Sequence, residues 1–305
     1  SVPHVTDRDA NLDRFSGFAD LYDAHRPTAP AALGRLLVSY AAARAPQVVD
    51  LGSGTGLSSR WAATWAASVV GIEPNPDMRA QAEARPVAEV SYREGTSSAT
   101  GLDDECADIV LAVQAMHWME PVSTLAEVAR ILRPGGVFAA VDADWPPVSG
   151  VVGAEIAWRT MHRRIRVFEA RVARGDSDDH LRRPIDDDDP TLADDDLADP
   201  HRNRSMPGGI TSWSKSQHLT RIEESGHFVF AREVMFDHAA GGGADAFVAL
   251  LRSQGSYQTL RRVGLDDDVL GMTDFDRRVR AAYEALDMAP PELSFSWRAR
   301  IGVRR

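Results

Sequence analysis

The sequence predicts an α/β fold in which one largely parallel sheet carries an inserted helical cap. Short apolar strands alternate with helical segments between residues 47 and 144, a pattern typical of a parallel sheet covered on both faces. Strand-like segments then return near the end of the chain, on either side of a helical stretch at residues 244–285. One sheet with an inserted cap explains this order better than two separate domains.

The elements of the predicted sheet follow one another through short connections. Residues 8–45 are expected to form helices before the first strand begins at Gln47. The expected strands, in order, are VVDLG, SVVGIE, VSYREG, DIVLAVQ and GVFAAVDAD. The helices between them are LSSRWAATWAAS, PDMRAQAEA, which has a proline in its first turn, and VSTLAEVARIL, which stops at RPGG.

The alternation of strands and helices breaks after Asp144. Residues 151–174 predict a helix, whereas residues 175–210 are acidic, polar and proline-bearing and predict a solvated insertion. A helix in SKSQHLTRIEESG and a strand in HFVFAREVMF are expected next. The glycines at 241–243 predict a hinge or turn before the helices of 244–285, and SFSWRARIGVRR predicts the closing strand.

Charge and composition narrow the functional classes. The 305 residues carry a net charge of −11, and the eleven aspartates and two arginines of residues 176–199 account for −9 of it. The rest of the chain is nearly neutral and lacks the basic excess that indicates nucleic-acid binding. No apolar run approaches the ~20 residues that a membrane-spanning helix needs, so no membrane association is expected.

Cysteine usage and the N-terminal residues predict a cytoplasmic protein. Cys106 is the single cysteine, so neither an intrachain disulfide nor a thiolate metal site is expected. The first residues lack the charged and apolar parts of a signal peptide. The four aspartates at 186–189 predict a solvated loop, because consecutive identical acids cannot all point into one metal site. We therefore expect no bound metal.

The sharpest motif is VVDLGSGTG at residues 48–56, where a strand runs into a glycine-rich turn that opens a helix. Glycines let backbone amides approach a ligand closely at a helix N-terminus. The spacing G-x-G-x-G is one residue shorter than the dinucleotide motif G-x-G-x-x-G, which disfavours a nicotinamide oxidoreductase. Asp50 precedes the turn, where it would repel a pyrophosphate and suit a cationic ligand, such as the ammonium of a methionine-derived cofactor.

With this motif the sequence resembles the class I S-adenosylmethionine-dependent methyltransferases. VVDLGSGTG is similar to their first motif, the strand SVVGIE ends in the acid Glu73, and RILRPGG is similar to their link into the fifth strand. These features recur in the family's order over residues 47–142. The resemblance implies a Rossmann-like seven-stranded sheet, mostly parallel with an antiparallel last strand, and S-adenosyl-L-methionine as the cofactor.

The resemblance also implies the cofactor contacts. Glu73 would bind both ribose hydroxyls, since a carboxylate suits a vicinal diol. Met78 would lie under the adenine, whose amine would be read at Thr96 and Ser97, and Gln114 would lie beside the methionine portion. The full set of expected cofactor-binding residues is Tyr22, Arg26, Asp50, Gly52, Ser53, Gly54, Gly56, Glu73, Pro74, Met78, Thr96, Ser97 and Gln114.

Two further segments, FADLYDAHRPTAP and QAMHWM, resemble small-molecule methyltransferases akin to trans-aconitate methyltransferase. By that match Tyr22 and Arg26 cover the cofactor, and Arg26 pairs with its carboxylate. The chain is then expected to be a single class I methyltransferase domain over 1–305. Its expected parts are a core at about 45–145, 211–240 and 292–305, N-terminal helices at 8–45, and cap insertions at about 150–210, with an acidic loop at 176–199, and at about 243–290.

His117 and Tyr257 are the candidate catalytic residues. The ordinary pKa of a histidine, about 6.5, makes His117 the first candidate for a general base, and Tyr257 on the cap is the second. Simple packing is the alternative for each of them, and His117 could instead hold a loop carbonyl. The expected substrate pocket is formed by Tyr22, His117, Trp118, Trp145 and Tyr257.

Three functions compete at this stage. Methyl transfer to an O, N or C atom of a small molecule, in secondary metabolism, is favoured because the helical insertions can roof a small pocket. A methyltransferase acting on RNA or protein predicts basic surroundings or an NPPY-type motif, whereas this chain has AVQAMHW there. A non-catalytic protein that binds S-adenosylmethionine is the third. The expected partner is a small-molecule substrate, and both a monomer and a homodimer remain open.

Overall fold

The computed structural model describes residues 26–183, 185, 204–206 and 210–305. The expected helices before residue 26, Tyr22 and most of the acidic loop 176–199 lie outside the described residues. Strands and helices are numbered below in chain order.

Seven strands form the main sheet, and the expected fold class is confirmed. They are β1 (Gln47–Leu51), β2 (Ser68–Ile72), β3 (Val90–Arg93), β4 (Ala107–Val113), β5 (Leu132–Ala143), β8 (Phe228–Gly242) and β9 (Glu292–Arg304). Their spatial order is β3-β2-β1-β4-β5-β9-β8. Strands β1 to β5 are mutually parallel, and β9 runs antiparallel to both of its neighbours. The last strand is therefore the antiparallel one, as predicted.

The helices lie between the strands and in the cap that follows β5. They are α1 (Ala31–Ala41), α2 (Leu57–Ala63), α3 (Pro76–Glu83), α4 (Pro121–Ile131), α5 (Val152–Ala173), α6 (Asp178–Leu181), α7 (His218–Glu224), α8 (Gly243–Arg252), α9 (Gly255–Arg262), α10 (Asp267–Leu270) and α11 (Met272–Glu284). Two 3₁₀ turns, Met116–Trp118 and Lys215–Gln217, lie beside the carboxyl edge of the sheet. None of the described helices combines the length and the apolar character that crossing a bilayer requires.

Both faces of the central strands are buried. Val48 and Val49 are neighbours in β1, and they pack into two different apolar clusters because successive side chains of a strand point to opposite faces. The same alternation separates Val137 from Phe138 in β5. Strands covered on both faces read as continuous apolar runs, which explains why the sequence pattern identified them.

The cap packs around one tryptophan that belongs to the same apolar cluster as one face of the sheet. Trp158 of α5 is buried, and its ring lies 4.9 Å from that of Phe247 and 6.2 Å from that of Phe275. These three rings come from α5, α8 and α11, and they bury the apolar face of each helix. The cap and the sheet therefore share one continuous interior.

The structure differs from the sequence expectations in the polar segment 175–210 and in the glycine run. Residues 178–181 form a helical turn, and β6 (Arg204–Met206) pairs with β7 (Ile210–Ser212) in an antiparallel ladder, where a solvated insertion was expected. Strand β8 continues to Gly242 and α8 begins at the next residue. Gly241 and Gly243 both have a positive φ, so the predicted turn is made without a separate loop.

Candidate active site

The glycine-rich turn after β1 is fixed to the end of β2. The amides of Gly52 and Ser53 both donate to the Ile72 carbonyl, at 2.8 and 3.2 Å. Gly54 and Gly56 have φ of 55° and 82°, in the region that side chains rarely adopt. A Cβ on Gly56 would collide with Tyr92 Oη, so this position needs glycine both for its conformation and for its packing.

Asp50 is fully buried at the carboxyl end of β1. Its Oδ2 accepts hydrogen bonds from Ser58 Oγ at 2.6 Å and Ser59 Oγ at 2.7 Å. Burial is the main cause that raises the pKa of this carboxyl to about 6, and the two serine hydroxyls oppose the rise. Its Oδ1 is buried and has no hydrogen-bond partner in the described part of the chain. One oxygen is thus held by the protein and the other is left for a ligand.

A second buried polar atom lies in the same turn. Ser53 is 4% exposed, and its Oγ has no hydrogen-bond partner among the described residues. A buried polar group without a partner costs free energy, so such groups usually mark a missing ligand or water. Together with Asp50 Oδ1, this hydroxyl fits a ligand that brings hydrogen-bond donors, such as the ammonium of S-adenosylmethionine.

Glu73, which follows β2, is bound to the glycine turn. Its Oε2 accepts from the Gly54 amide at 2.8 Å, and its Oε1 accepts from the Asn75 amide at 2.9 Å. Burial raises the pKa of Glu73, and the two amide hydrogen bonds oppose that rise. A carboxylate has about four acceptor positions, so both oxygens can still accept from a diol. Pro74 is the half-buried residue between Glu73 and Asn75.

The residues expected to surround an adenine are brought to the same edge. The Asn75 side chain accepts from the amides of Asp77 and Met78 and so caps α3. Met78 is buried, and a Cβ on Gly54 would lie 3.4 Å from its Cε. The turn after β3 is closed by backbone hydrogen bonds between Thr96 and Ala99.

Ser97 ties this turn to α4. Its Oγ lies 2.8 Å from Thr124 Oγ1, within hydrogen-bond distance. Because β1, β2 and β3 are adjacent and parallel, the turns that follow them lie at the same edge of the sheet. The individual contacts of each residue with a cofactor remain predictions.

Gln114 follows β4 in a left-handed conformation, with φ of 54°. Three hydrogen bonds hold it there. Its amide donates to the Val141 carbonyl at 2.7 Å, its Nε2 donates to the Ala143 carbonyl at 3.5 Å, and its Oε1 accepts from Lys215 Nζ at 3.1 Å. A non-glycine residue with positive φ is retained only where its surroundings determine it, and such residues concentrate at functional sites.

Asp142 near the end of β5 is the centre of a buried charged cluster that the sequence analysis did not identify. It is 2% exposed. Lys215 Nζ lies 2.8 Å from its Oδ1, and Arg300 Nη1 donates to its Oδ2 at 3.1 Å. Although burial opposes it, the Lys215 ammonium, together with His117, holds the pKa of Asp142 well below its ordinary range. The carboxylate is therefore ionised.

Two imidazoles face the same carboxylate. His117 Nδ1 lies 3.6 Å from Asp142 Oδ1, and His218 Nε2 lies 4.0 Å from Asp142 Oδ2. His218 is fully buried, and burial lowers its pKa to about 3, so this imidazole is neutral at pH 7. The side chain of His117 is 12% exposed and sits in the 3₁₀ turn after β4. A carboxylate facing Nδ1 favours the tautomer with the proton on Nδ1 and leaves Nε2 as the basic atom.

The signals for this cluster were present in the sequence. Asp142 is an acid at the end of an apolar strand, which is the same pattern that singled out Asp50 and Glu73. Lys215 is the single lysine among 34 basic residues. What the sequence did not reveal is that these two distant residues meet.

Arg26 and Trp145 lie where the cap meets the sheet. The Arg26 guanidinium is 4.5 Å from the centre of the Trp145 ring, and its Nη2 donates to the Ser253 carbonyl at 3.4 Å. The Trp145 ring also lies 6.5 Å from that of Trp158. Trp118, in the turn after β4, has its ring 4.6 Å from the imidazole of His117.

Tyr257 does not have the surroundings of a general base. It is 2% exposed within the cap, and its hydroxyl donates a short hydrogen bond to Asp267. Burial, with Asp267 beside it, raises the pKa of this phenol far above its ordinary value. Asp267 also pairs with Arg252 and Arg261. The hydroxyl thus serves the packing of the cap, and we assign no proton transfer to it.

Metal coordination is not indicated by the part of the chain that the structure describes. No group of three or more His, Cys, Asp or Glu side chains there is arranged to hold an ion.

Residues 49–140 match the family model described as "Methyltransferase domain". A relative from Mycobacterium tuberculosis, named an uncharacterised methyltransferase, is 37% identical over 129 residues, covering 42% of this chain and 51% of its own length. The malonyl-[acyl-carrier protein] O-methyltransferase of Pectobacterium atrosepticum is 32% identical over 133 residues, covering 43% and 52%. This chain thus spans about half the length of the curated relatives it matches. Residues 49–140 are therefore similar to a methyltransferase domain, which is the class of protein that the resemblance named.

A solved structure supports the fold over most of the chain. It is that of a candidate type II methyltransferase from Anaeromyxobacter dehalogenans, with a TM-score of 0.52 and 23% identity. The superposition covers 92% of this chain and 97% of that one. The similarity therefore extends beyond residues 49–140 to the architecture of the sheet and its surrounding helices.

Proposed function

We propose that the protein is an S-adenosyl-L-methionine-dependent methyltransferase that methylates a small molecule at an O, N or C atom. One observation carries the proposal. The glycine turn after β1 is bonded through the Gly54 amide to Glu73 at the end of β2, and it holds two buried polar atoms without partners, Asp50 Oδ1 and Ser53 Oγ. This arrangement lies inside the segment that matches a methyltransferase domain.

The residues at this edge suit the parts of that cofactor. Asp50 would face the ammonium, Glu73 the ribose hydroxyls, and Met78 the adenine ring. Gln114, with Tyr22 and Arg26, would hold the methionine portion. When bound, the cofactor supplies a sulfonium-activated methyl group, and the protein contributes alignment and exclusion of water.

His117 is the group best placed to receive a proton from the acceptor. Asp142 orients the imidazole through Nδ1, which directs the basic lone pair of Nε2 away from the carboxylate. An acceptor that is a phenol or a carbon acid needs such a base, whereas a carboxylate or a neutral amine does not. Tyr257 is left out of this role because its hydroxyl is bound to Asp267.

The proposal also covers the class of acceptor, the group of related methyltransferases, the metabolic role and the cellular location. A small-molecule acceptor is supported by the helical cap over the sheet, where the half-buried ring of Trp145 lies 6.5 Å from that of the buried Trp158. The sequence also supports three further proposals. They are similarity to the trans-aconitate methyltransferase group, a role in secondary metabolism and a cytoplasmic location. The relative from Pectobacterium, named malonyl-[acyl-carrier protein] O-methyltransferase, suggests carboxylic acids as the first acceptors to try.

Transfer of a labelled methyl group tests the proposal. The protein is incubated with methyl-tritiated S-adenosylmethionine and a library of small carboxylic acids, phenols and amines, and the products are separated by chromatography. We expect label in at least one acceptor, and a lower kcat in the variant His117→Gln if that acceptor is a phenol or a carbon acid. Binding of S-adenosylhomocysteine without transfer to any acceptor class would instead support a non-catalytic binding protein.

A further inference from the structure

The ammonium of Lys215 is held at the carboxyl edge of the sheet by two side chains. Its Nζ lies 2.8 Å from Asp142 Oδ1 at the end of β5 and donates to Gln114 Oε1 at 3.1 Å after β4. Lys215 itself belongs to the 3₁₀ turn that follows β7, far from both strands in the sequence. The turn is anchored beside the site, because the Trp213 amide donates to the His117 carbonyl at 2.7 Å.

One hydrogen of this ammonium is left for a ligand. A lysine ammonium has three donors and no acceptor. Gln114 accepts one of them, Asp142 Oδ1 lies 2.8 Å away as the ion-pair partner, and no third partner exists in the described part of the chain. The side chain of Lys215 is 35% exposed, whereas that of Asp142 is 3% exposed. The Lys215 side chain is therefore partly accessible, whereas its carboxylate partner is buried.

Asp142 does not neutralise Lys215 alone, because its single negative charge is shared with Arg300. Arg300 in turn donates to Glu233 at 2.7 Å, and Glu233 lies 3.3 Å from Arg298. The charges alternate along this series, and Lys215 is the cation at the end that borders Gln114. Arg298 also pairs with Asp144 at 2.8 Å, so the series ends in an anion on that side and in the Lys215 cation on the other, where a carboxylate would pair with an ammonium whose own anion is shared. Neutral His218, whose imidazole is buried, adds no competing positive charge.

We propose that the Lys215 ammonium binds a carboxylate at the edge formed by Gln114 and Asp142. This inference rests on the proposed function, which supplies two sources for that carboxylate. One is the methionine portion of the cofactor, which Gln114 is expected to adjoin, and the other is an acidic methyl acceptor. Lys215 is then a binding residue, and its partners Gln114 and Asp142 position it.

Binding measurements on three proteins test the inference and separate the two sources. Calorimetric titrations compare S-adenosylhomocysteine with methylthioadenosine, which lacks the amino-acid portion, on the wild type, Lys215→Met and Lys215→Arg. If the carboxylate belongs to the cofactor, Lys215→Met weakens S-adenosylhomocysteine about tenfold and leaves methylthioadenosine within about twofold, because a charge-assisted hydrogen bond is worth about that much. Lys215→Arg retains the charge and most of the affinity.

The second set of titrations detects an acidic acceptor. In the presence of saturating S-adenosylhomocysteine, thermal shifts are recorded for a panel of small carboxylic acids, each beside its primary amide. If the carboxylate belongs to the acceptor, acids raise the melting temperature more than their amides in the wild type, and Lys215→Met removes the difference. The control Arg35→Met removes an exposed positive charge on α1 and should change neither measurement.

The outcomes distinguish this inference from the proposed function. If the wild type binds S-adenosylhomocysteine but Lys215→Met changes neither the cofactor comparison nor the acid–amide difference, the carboxylate site is wrong while the function stands. If the wild type does not bind S-adenosylhomocysteine, the proposed function itself fails. Should Lys215→Met not fold, Lys215→Gln replaces it, because the amide can still donate to Gln114 without carrying a charge.

Discussion

The Gly54 amide donates a 2.8 Å hydrogen bond to Glu73 Oε2 and so joins the glycine turn after β1 to the acid that follows β2. The two sequence motifs expected to bind opposite parts of one cofactor are thus a single hydrogen-bonded unit. Asp50, buried beneath this turn, keeps one carboxylate oxygen without a partner in the described residues. A change at either acid should therefore affect ligand binding more than the fold.

Removing the charge of Asp50 or the carboxylate of Glu73 should abolish cofactor binding. Asp50→Asn keeps the size of the side chain, and Glu73→Ala removes the expected ribose contact. We expect calorimetry to show S-adenosylhomocysteine binding weakened at least about a hundredfold in each, because Glu73→Ala removes two charged hydrogen bonds and Asp50→Asn removes the negative charge that faces the ammonium. The control Glu83→Gln changes an exposed carboxylate of α3. Wild-type affinity in Asp50→Asn would show that the ammonium binds elsewhere.

The need for glycine at position 56 can be separated into its two causes. Both Gly56 and Gly135 have a positive φ, but only at Gly56 would a Cβ collide with a neighbour, Tyr92 Oη. Gly135→Ala should cost about 1 kcal/mol of unfolding free energy from the backbone alone. Gly56→Ala should cost about 1–3 kcal/mol more, as an overpacked site does. Equal midpoints in urea denaturation of the two variants would contradict the close packing at Gly56.

Asp142 should matter more for stability than an exposed aspartate that also pairs with an arginine. Asp142→Asn leaves Lys215 and Arg300 without their common anion, and breaking one side of a buried ion pair costs about 3 kcal/mol. Asp178→Asn breaks the exposed pair with Arg182 and should cost less than about 1 kcal/mol. Urea denaturation at pH 7 measures both. If the two variants lost similar free energies of unfolding, the buried Asp142 pairs would contribute no more to stability than the exposed pair does.

His218 should make the protein less stable as the pH falls. Its pKa in the folded state is lowered to about 3, so the unfolded chain, with a pKa near 6.5, takes up the proton first. The free energy of unfolding that neutral His218 contributes is complete above pH 6.5 and is lost progressively toward pH 3. The loss amounts to about 2 kcal/mol at pH 5. The wild type should therefore lose that much more stability between pH 7 and pH 5 than His218→Gln does.

A comparison with His218→Gln is needed because other groups titrate in the same range. The raised pKa of Asp50, about 6, works in the opposite sense and stabilises the fold as the pH falls. That effect is common to the two proteins and cancels in their difference. Asp142 and Arg221, which face the imidazole, remain charged throughout. Parallel stability curves would show that the pKa of His218 is not lowered in the folded state.

The sheet and its glycine turn were predictable because their signals are local. Apolar runs such as that around Val48 indicate a strand that is buried on both faces, and the spacing of the glycines indicates the turn that follows it. The short ladder of β6 and β7 was missed, although the sequence between these strands, Pro-Gly-Gly, is a turn signal. The acidic composition of the surrounding residues outweighed that signal and led to the expectation of a solvated loop.

The Asp142 cluster was not predictable, because it depends on contacts between distant parts of the chain. Lys215 reaches Asp142 only after the segment beyond the cap has returned to the carboxyl edge of the sheet. The hydrogen bond between Tyr257 and Asp267, which lies in a neighbouring cap helix, was not predictable for the related reason that it depends on the packing of the cap. A sequence pattern shows residue types and the spacing of apolar residues. Which distant residues are buried together and which pair with each other depends on the folded structure.

Calorimetric titration of the wild-type protein with S-adenosylhomocysteine, beside NAD, decides whether the glycine turn binds this cofactor. We expect one site for S-adenosylhomocysteine, no measurable binding of NAD, and loss of the site in Asp50→Asn. Binding of NAD without S-adenosylhomocysteine, or unchanged binding of S-adenosylhomocysteine by Asp50→Asn, would contradict the assignment of the glycine turn and its two acids as the cofactor site.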